Sequence, residues 1–224
     1  VRDRRARRLR LIVSDKGARL TLPTVASVRM ADAFLHEHRE WLADQLDRQH
    51  PDDAPLFGRD WSEPLPLRGA HAPLAWREGR FARALLTEHG IELQLPERAD
   101  DRRARAALRD FYLQQARTDL GTWLPRYLPA LPRPPSALRL RPLSSLWGSL
   151  SPGDAVSLDL ALVLGRPSAF EYVLVHELCH LLHADHSPRF WREVETRWPH
   201  WREERDYLRG EGLALKATLA RLTR

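Results

Sequence analysis

Cysteine is almost absent from this 224-residue chain: Cys179 stands alone, so no disulfide can form within it. The disulfide-stapled class of small secreted domains is thereby excluded. Lysine is nearly as scarce, with only Lys16 and Lys216 among 36 basic residues, the rest being arginine. No stretch approaches the ~20 consecutive apolar residues of a membrane-spanning helix. The arginines of VRDRRARRLR precede only LIV before SDKG, short of the ~7 apolar residues of a signal-peptide core. The expected location is therefore the cytoplasm. The net charge of +6 is also poorly distributed for a nucleic-acid binder. Residues 1–10 carry six arginines against Asp3, which leaves the other 214 residues close to neutral. A DNA contact is accordingly expected, if anywhere, at the arginine-rich head alone.

What the chain does have is enough apolar residue, 43%, to bury one sizeable core. RRLRLIV and ARLTLP flank SDKG as a hairpin, with Leu9, Leu11 and Val13 alternating onto one face. ASVRMADAFLHEHREWLADQLDRQ reads as one amphipathic helix carrying Phe34, His38, Trp41, Leu42 and Leu46, with Pro51 beyond its end. Short strands follow in PLPLRG, APLAWREG, RFARALLTEHG and IELQLPE. A second helix is expected from about Asp101 to Trp123, its buried side formed by Leu108, Phe111, Tyr112, Ala116, Leu120 and Trp123, and PRYLPALPRPP closes it. ALRLRPL and AVSLDLAL read as strands either side of LWGSLSPGD, a hairpin-like connection. The expected fold class is α+β. Residues 1–99 form a β-rich lobe with a helix, and residues 100–224 a second region, together in one compact unit.

Histidine is concentrated in one place. HELCHLLHADHSPRFW, residues 176–191, has four histidines and a glutamate in its first eleven positions. Ser168 and Glu171 have the spacing of a capping box, and the helix it opens runs through YVLVHELCHLLHA. At ~100° per residue His176 and His180 lie about 40° apart on one face, one turn from each other, which is what a single tetrahedral ion needs. Glu177 projects beside them, where its carboxylate reaches a water in the open position without ligating the ion. His186 is the favoured third ligand and His183 its rival. Asp185 ends the helix and Ser187-Pro188 opens the next one, so the chain reverses at His186. Three ligands along one straight helix do not close a tetrahedron. A chance HExxH in a chain of this composition has a probability on the order of 3%, and about 0.1% with the third histidine as well. Cys179 points off the histidine face and reads as a packed thiol. Phe190, Trp191, Trp198 and Trp201 read as core.

WGS at 147–149, YVLVHELCH at 172–180 and HSPRFW at 186–191 resemble the YgjP-like metallopeptidases, related to SprT-like and WLM-type zinc peptidases. The resemblance extends to RLTLP, the FLHEHREWLADQL helix and FG at 57–58. It implies a zincin-like catalytic region, an active-site helix beside a small sheet, with one Zn²⁺ per chain on His176, His180 and His186 and Glu177 as the base. Peptide or protein is the implied substrate, paired along the edge of the strand carrying Trp147, Gly148 and Ser149. Leu146, Leu150 and Asp159 depart from the usual pattern of Arg, Cys and Asn. Tyr207, His200 and His183 are the candidates for assisting the oxyanion. The alternatives are a nucleic-acid-associated binding module with a structural zinc, or a protease acting on DNA-bound proteins. Glu177 distinguishes enzyme from module, because a structural site has no use for it.

Overall fold

The structure, a computed structural model, describes residues 1–4, 6–14, 17–47 and 55–224. It divides into two compact units, Val1–Ala54 and Pro55–Arg224. In the first, β1 (Arg2–Asp3), β2 (Arg10–Ser14) and β3 (Gly17–Pro23) form a sheet in the order β1-β3-β2. The hairpin pairs Leu11 with Leu20 and Val13 with Ala18. The single helix expected next is two, α1 (Val28–Glu37) and α2 (Arg39–Asp47). At His38 the backbone leaves the helical region (φ −102°, ψ 15°). Its ring there engages the Phe34 carbonyl at 2.9 Å and stacks on Phe34 at 4.2 Å, a local bond that competes with helix continuation. Asp15 and Lys16 of the hairpin connection, the side chain of Leu46 and Pro51 lie outside the described residues.

The second unit begins with β4 (Leu65–Leu67), β5 (Ala70–Ala72), β6 (Leu74–Glu78), β7 (Arg83–Thr87) and β8 (Gly90–Leu95). β4 and β5 are joined by Arg68 (φ 51°) and Gly69 (φ 76°), a two-residue turn of the kind whose twist matches a hairpin. The left-handed arginine is held in place by a bidentate pair with Asp119, its Nη2 donating to Oδ1 at 2.8 Å and its Nε to Oδ2 at 3.1 Å. β6, β8 and β7 form a second small sheet, with β8 central. Ile91, Leu93 and Leu95 alternate from β8 into the core, where α3 (Asp101–Tyr127) meets them with Leu108, Phe111 and Tyr112. Asp100 caps α3 by accepting from the Arg103 amide at 3.0 Å. The sequence draws its lobe boundary at residue 99, whereas contacts separate the units at residue 54, because β8 and α3 share one core.

β9 (Ala137–Arg141), β10 (Gly148–Leu150) and β11 (Ala155–Asp159) make the third sheet of this unit, in the order β10-β11-β9. The stretch LWGSLSPGD therefore contains an edge strand, β10, and its Pro-Gly-Asp end is the turn into β11. α4 (Pro167–Cys179), α5 (Pro188–Arg197) and α6 (Trp201–Thr223) complete the fold. The fold class is α+β, as expected. No described helix is long and apolar enough to cross a membrane. α4 is apolar on every side, and Phe170, Leu174, Val175 and Leu178 are fully buried, which makes it the central helix of the core.

One buried polar hub anchors the approach to β10. Asp159 accepts from the Ala161 amide (2.8 Å) and the Leu143 amide (3.0 Å) and is ion-paired to Lys216. Lys216 also donates to the carbonyls of Leu143 (2.6 Å) and Leu146 (2.9 Å), and its ammonium lies 4.5 Å from the Trp147 ring. Burial pushes the Asp159 carboxyl up, while Lys216 and the two amides pull the other way. Removing one partner of such a pair strands the other. Asp159→Ala is expected to cost about 3 kcal/mol of stability, read from the urea midpoint, and Asp159→Asn less because it keeps an acceptor. An unchanged midpoint in the alanine variant would show the hub to be incidental.

Candidate metal centre

α4 starts two residues earlier than its capping-box pattern implies. Arg166 is the N-cap and Pro167 the first helical residue, with no side-chain cap bond. Proline at that position needs no amide partner. Glu171 is drawn away to the Tyr127 hydroxyl (2.6 Å) and Arg126 (2.8 Å). The helix also ends earlier, at Cys179, and tightens through bonds from the Leu181 amide to Leu178 O and the Leu182 amide to Cys179 O. His183 is thus not one turn further along the same helix. Its carbonyl instead faces His180 Nδ1 at 3.1 Å. The chain then reverses, though Asp185 does not adopt a left-handed conformation. Its carboxylate accepts from the Ser187 amide at 3.2 Å, a turn that mimics a backbone one. Ser187 is the N-cap of α5 and Pro188 its first residue.

These turns bring His176, His180 and His186 together. One donor nitrogen from each lies within 4.8 Å of the other two, and His176 Nε2 is 3.1 Å from His186 Nε2. The fully buried Phe190 is their common floor, with ring centroids 4.9, 4.5 and 4.8 Å from those of His176, His180 and His186.

The donor set suits a metal ion. Two imidazoles bound to one zinc at ~2.0–2.1 Å in tetrahedral geometry stand about 3.3 Å apart, close to the separation seen. Burial, with the neighbouring imidazoles, pushes His176 down to about 3, and burial lowers His180 too. Both are held in the neutral form that ligates metals. With Nδ1 of His180 donating to the His183 carbonyl, Nε2 is left as an acceptor toward the cluster. His176 Nδ1 is buried without a hydrogen-bond partner, so its ring has polar company only on the Nε2 side.

Glu177 is 5% exposed, and burial pushes its carboxyl up to about 8. A divalent cation a few ångströms away would favour the carboxylate instead. Its position is set by β10. A Cβ placed on Gly148 would lie 2.6 Å from Cγ and Oε1 of Glu177, so only glycine lets the strand come this close. The Asp159 amide donates to Trp147 O (2.8 Å) and the Ser151 amide to Ala155 O (2.9 Å). The main-chain groups of Trp147, Ser149 and Ser151 therefore turn toward β11, and alternation turns those of Gly148 and Leu150 to the opposite edge. Among the described residues no strand lies on that side.

Trp147, Gly148 and Ser149 share with His176, Glu177, His180 and His186 the wall of one cavity of about 1020 Å³. Leu146 and Leu150 line it as well. The three candidates for assisting the oxyanion do not. Tyr207 hydroxyl accepts from the Arg166 amide (3.3 Å), His200 is exposed beside Glu203 (3.3 Å), and His183 contributes only its carbonyl. Trp191, read as core, reaches the cavity, whereas Phe190 and Trp201 are buried. Cys179 is a packed thiol, pushed up to about 12 by burial. Tyr172 and Arg205 line the cavity and were not singled out in the sequence. Tyr172 lies one turn before His176, a local cue; Arg205 lies on α6, and nothing near it in sequence points to the site.

The family profile described as YgjP-like, metallopeptidase domain, matches residues 7–211. The chain belongs to the YgjP-like metallopeptidase family. Among solved structures it is similar to the metallopeptidase zymogen abylysin of Pyrococcus abyssi, at 28% identity over 46% of this chain and 93% of that one, with a TM-score of 0.33. No curated protein matches the chain. In this YgjP-like domain the third imidazole separates the two histidine readings. His186→Ala is expected to weaken Zn²⁺ binding by at least ~10²-fold in a competitive chelator titration, the loss of one ligand from three. His183→Ala, which keeps the carbonyl, should bind nearly as wild type. The reverse ranking would place the third ligand elsewhere.

Proposed function

We propose that this metallopeptidase is zinc-dependent and hydrolyses peptide bonds with Glu177 as general base. The convergence of three imidazole nitrogens within 4.8 Å carries the proposal. His176, His180 and His186 would hold one Zn²⁺ per chain, a borderline ion suited to imidazole. When bound, the ion supplies Lewis acidity, polarising the scissile carbonyl and acidifying water.

The other steps fall to the chain's own groups. The main-chain N–H and C=O of Gly148 and Leu150 pair with an extended substrate along the free edge of β10, which reads backbone more than side chain. Trp147 and Ser149 flank that edge, Gly148 sets its approach to Glu177 of α4, and Trp147 lies against Lys216 and Gly212 of α6. The Glu177 carboxylate takes a proton from the attacking water and returns it to the leaving amine. The apolar wall excludes bulk water around that carboxylate, which strengthens its interactions. A binding module with a structural metal has no need of a buried glutamate beside the ligands, and the family profile describes a metallopeptidase domain.

Glu177→Gln keeps the side-chain shape and removes the base. It is expected to fold and retain Zn²⁺, yet lose at least ~10²-fold in hydrolysis of unstructured peptides, measured beside metal content. Equal cleavage by wild type and variant would refute Glu177 as the base.

A further inference from the structure

Three arginines reach the wall of the cavity: Arg133, Arg205 and Arg209. Arg133 grips both oxygens of Asp154, at 2.5 and 2.9 Å, and Arg209 pairs with Asp206 at 2.8 Å. Arg205 forms no ion pair among the described residues. The acids beside it in sequence are taken, Glu204 by Arg166 and Asp206 by Arg209. Its guanidinium rests instead on aromatic rings, 4.9 Å from Trp201 and 5.9 Å from Trp191, which are themselves stacked at 4.2 Å and 22°. Such a platform orients a guanidinium while leaving its donor edge open. The Tyr172 phenol lies on the same cavity wall as Arg205.

The same platform ties Arg205 to the histidines. Trp191 is 5.7 Å from His176 and 5.8 Å from His186, centroid to centroid. One indole thus separates the free cation from the metal centre, a gap that two or three residues of extended chain span at about 3.4 Å each. The neighbouring walls, Leu146, Leu150, Val173 and Leu208, offer apolar contacts, and of the acids lining the cavity Asp154 is held by Arg133 and Glu177 stands beside the histidines. A guanidinium with unfilled donors beside a low-dielectric wall favours a carboxylate over every other peptide group.

We propose that Arg205 is a specificity-determining residue that receives a carboxylate of the substrate, two or three residues from the scissile bond. The carboxylate is an Asp or Glu side chain or the C-terminus of the peptide. The inference rests on the peptidase reading of the cavity, and its test is separable from that reading.

Unstructured peptides are made with Glu, Gln or Lys at each position near the cleavage site, acetylated and amidated, and a parallel set has a free C-terminus. Affinity is measured by fluorescence anisotropy in the zinc-loaded Glu177→Gln protein, which prevents turnover, and kcat/KM in the otherwise native chain. Glu or free-acid peptides should bind about fivefold or more tightly than their Gln or amide counterparts, the scale of a partly exposed ion pair. The advantage should disappear in Arg205→Gln, return in part in Arg205→Lys, and pass to the Lys peptides in Arg205→Glu. Which set shows it separates a side-chain acid from the C-terminus. A Glu-to-Gln ratio and an acid-to-amide ratio both unchanged by Arg205→Gln would overturn the proposal. Cleavage without any such preference would leave the peptidase reading standing and this one refuted. Arg205-dependent binding without cleavage would do the opposite.

Discussion

Two imidazoles and Glu177 lie at the C-terminal end of a helix that is mostly apolar and buried, and the rest of the second unit is arranged around that constraint. Placing ionisable groups there costs free energy unless a partner compensates them. Burial holds His176 and His180 neutral and pushes Glu177 toward its protonated form. A cation shared by His176, His180 and His186, as proposed, would reverse the logic for Glu177 and favour its carboxylate. Phe190, in contact with all three rings, keeps the imidazoles from spreading apart, so the site is formed by packing before it is formed by coordination.

A second coupling joins the helix to the sheet. Gly148 lies against the Glu177 carboxylate, so the strand that offers a pairing edge also positions the acid. That strand is held from behind by a hub that no short sequence window contains. Lys216 on α6 reaches Leu143, Leu146 and Asp159, which ties the segment before β10 to the C-terminal helix. Asp159, unusual for the family pattern, has a partner in a lysine that is one of only two in the chain. The pair supplies the charge balance that an asparagine there would not need. Leu146 and Leu150, which stand where the family resemblance implies Arg and Cys, line the cavity wall with apolar side chains.

The features legible in the sequence are those whose causes are local. The spacing of His176 and His180 follows from helical pitch, and the reversal at His186 from the turn chemistry of Asp185, Ser187 and Pro188, although an Asx bond rather than a left-handed residue makes the turn. The strands between 65 and 95 and the buried face of α3 are likewise written in alternation and periodicity. Features set by distant partners were not legible. The Ser168–Glu171 cap fails because Glu171 has better partners 44 and 45 residues away in Tyr127 and Arg126. The helix across His38 breaks on a side-chain bond, and Arg205 enters the cavity from a helix that follows the motif by some twenty residues. The chain divides at residue 54 rather than 99 because packing between β8 and α3 outweighs the change in composition.

Three imidazoles, and no sulfur, are proposed to hold one metal ion in this domain. X-ray absorption at the zinc edge of the Zn²⁺-loaded protein tests it most directly, because Cys179 directly precedes a ligand in sequence and sulfur scattering is easily told from nitrogen. The expected spectrum has a four-coordinate first shell of nitrogen and oxygen at ~2.0–2.1 Å, with the outer-shell scattering of three histidine rings. A scatterer at ~2.3 Å, or a shell of oxygen with fewer than three rings, would contradict it.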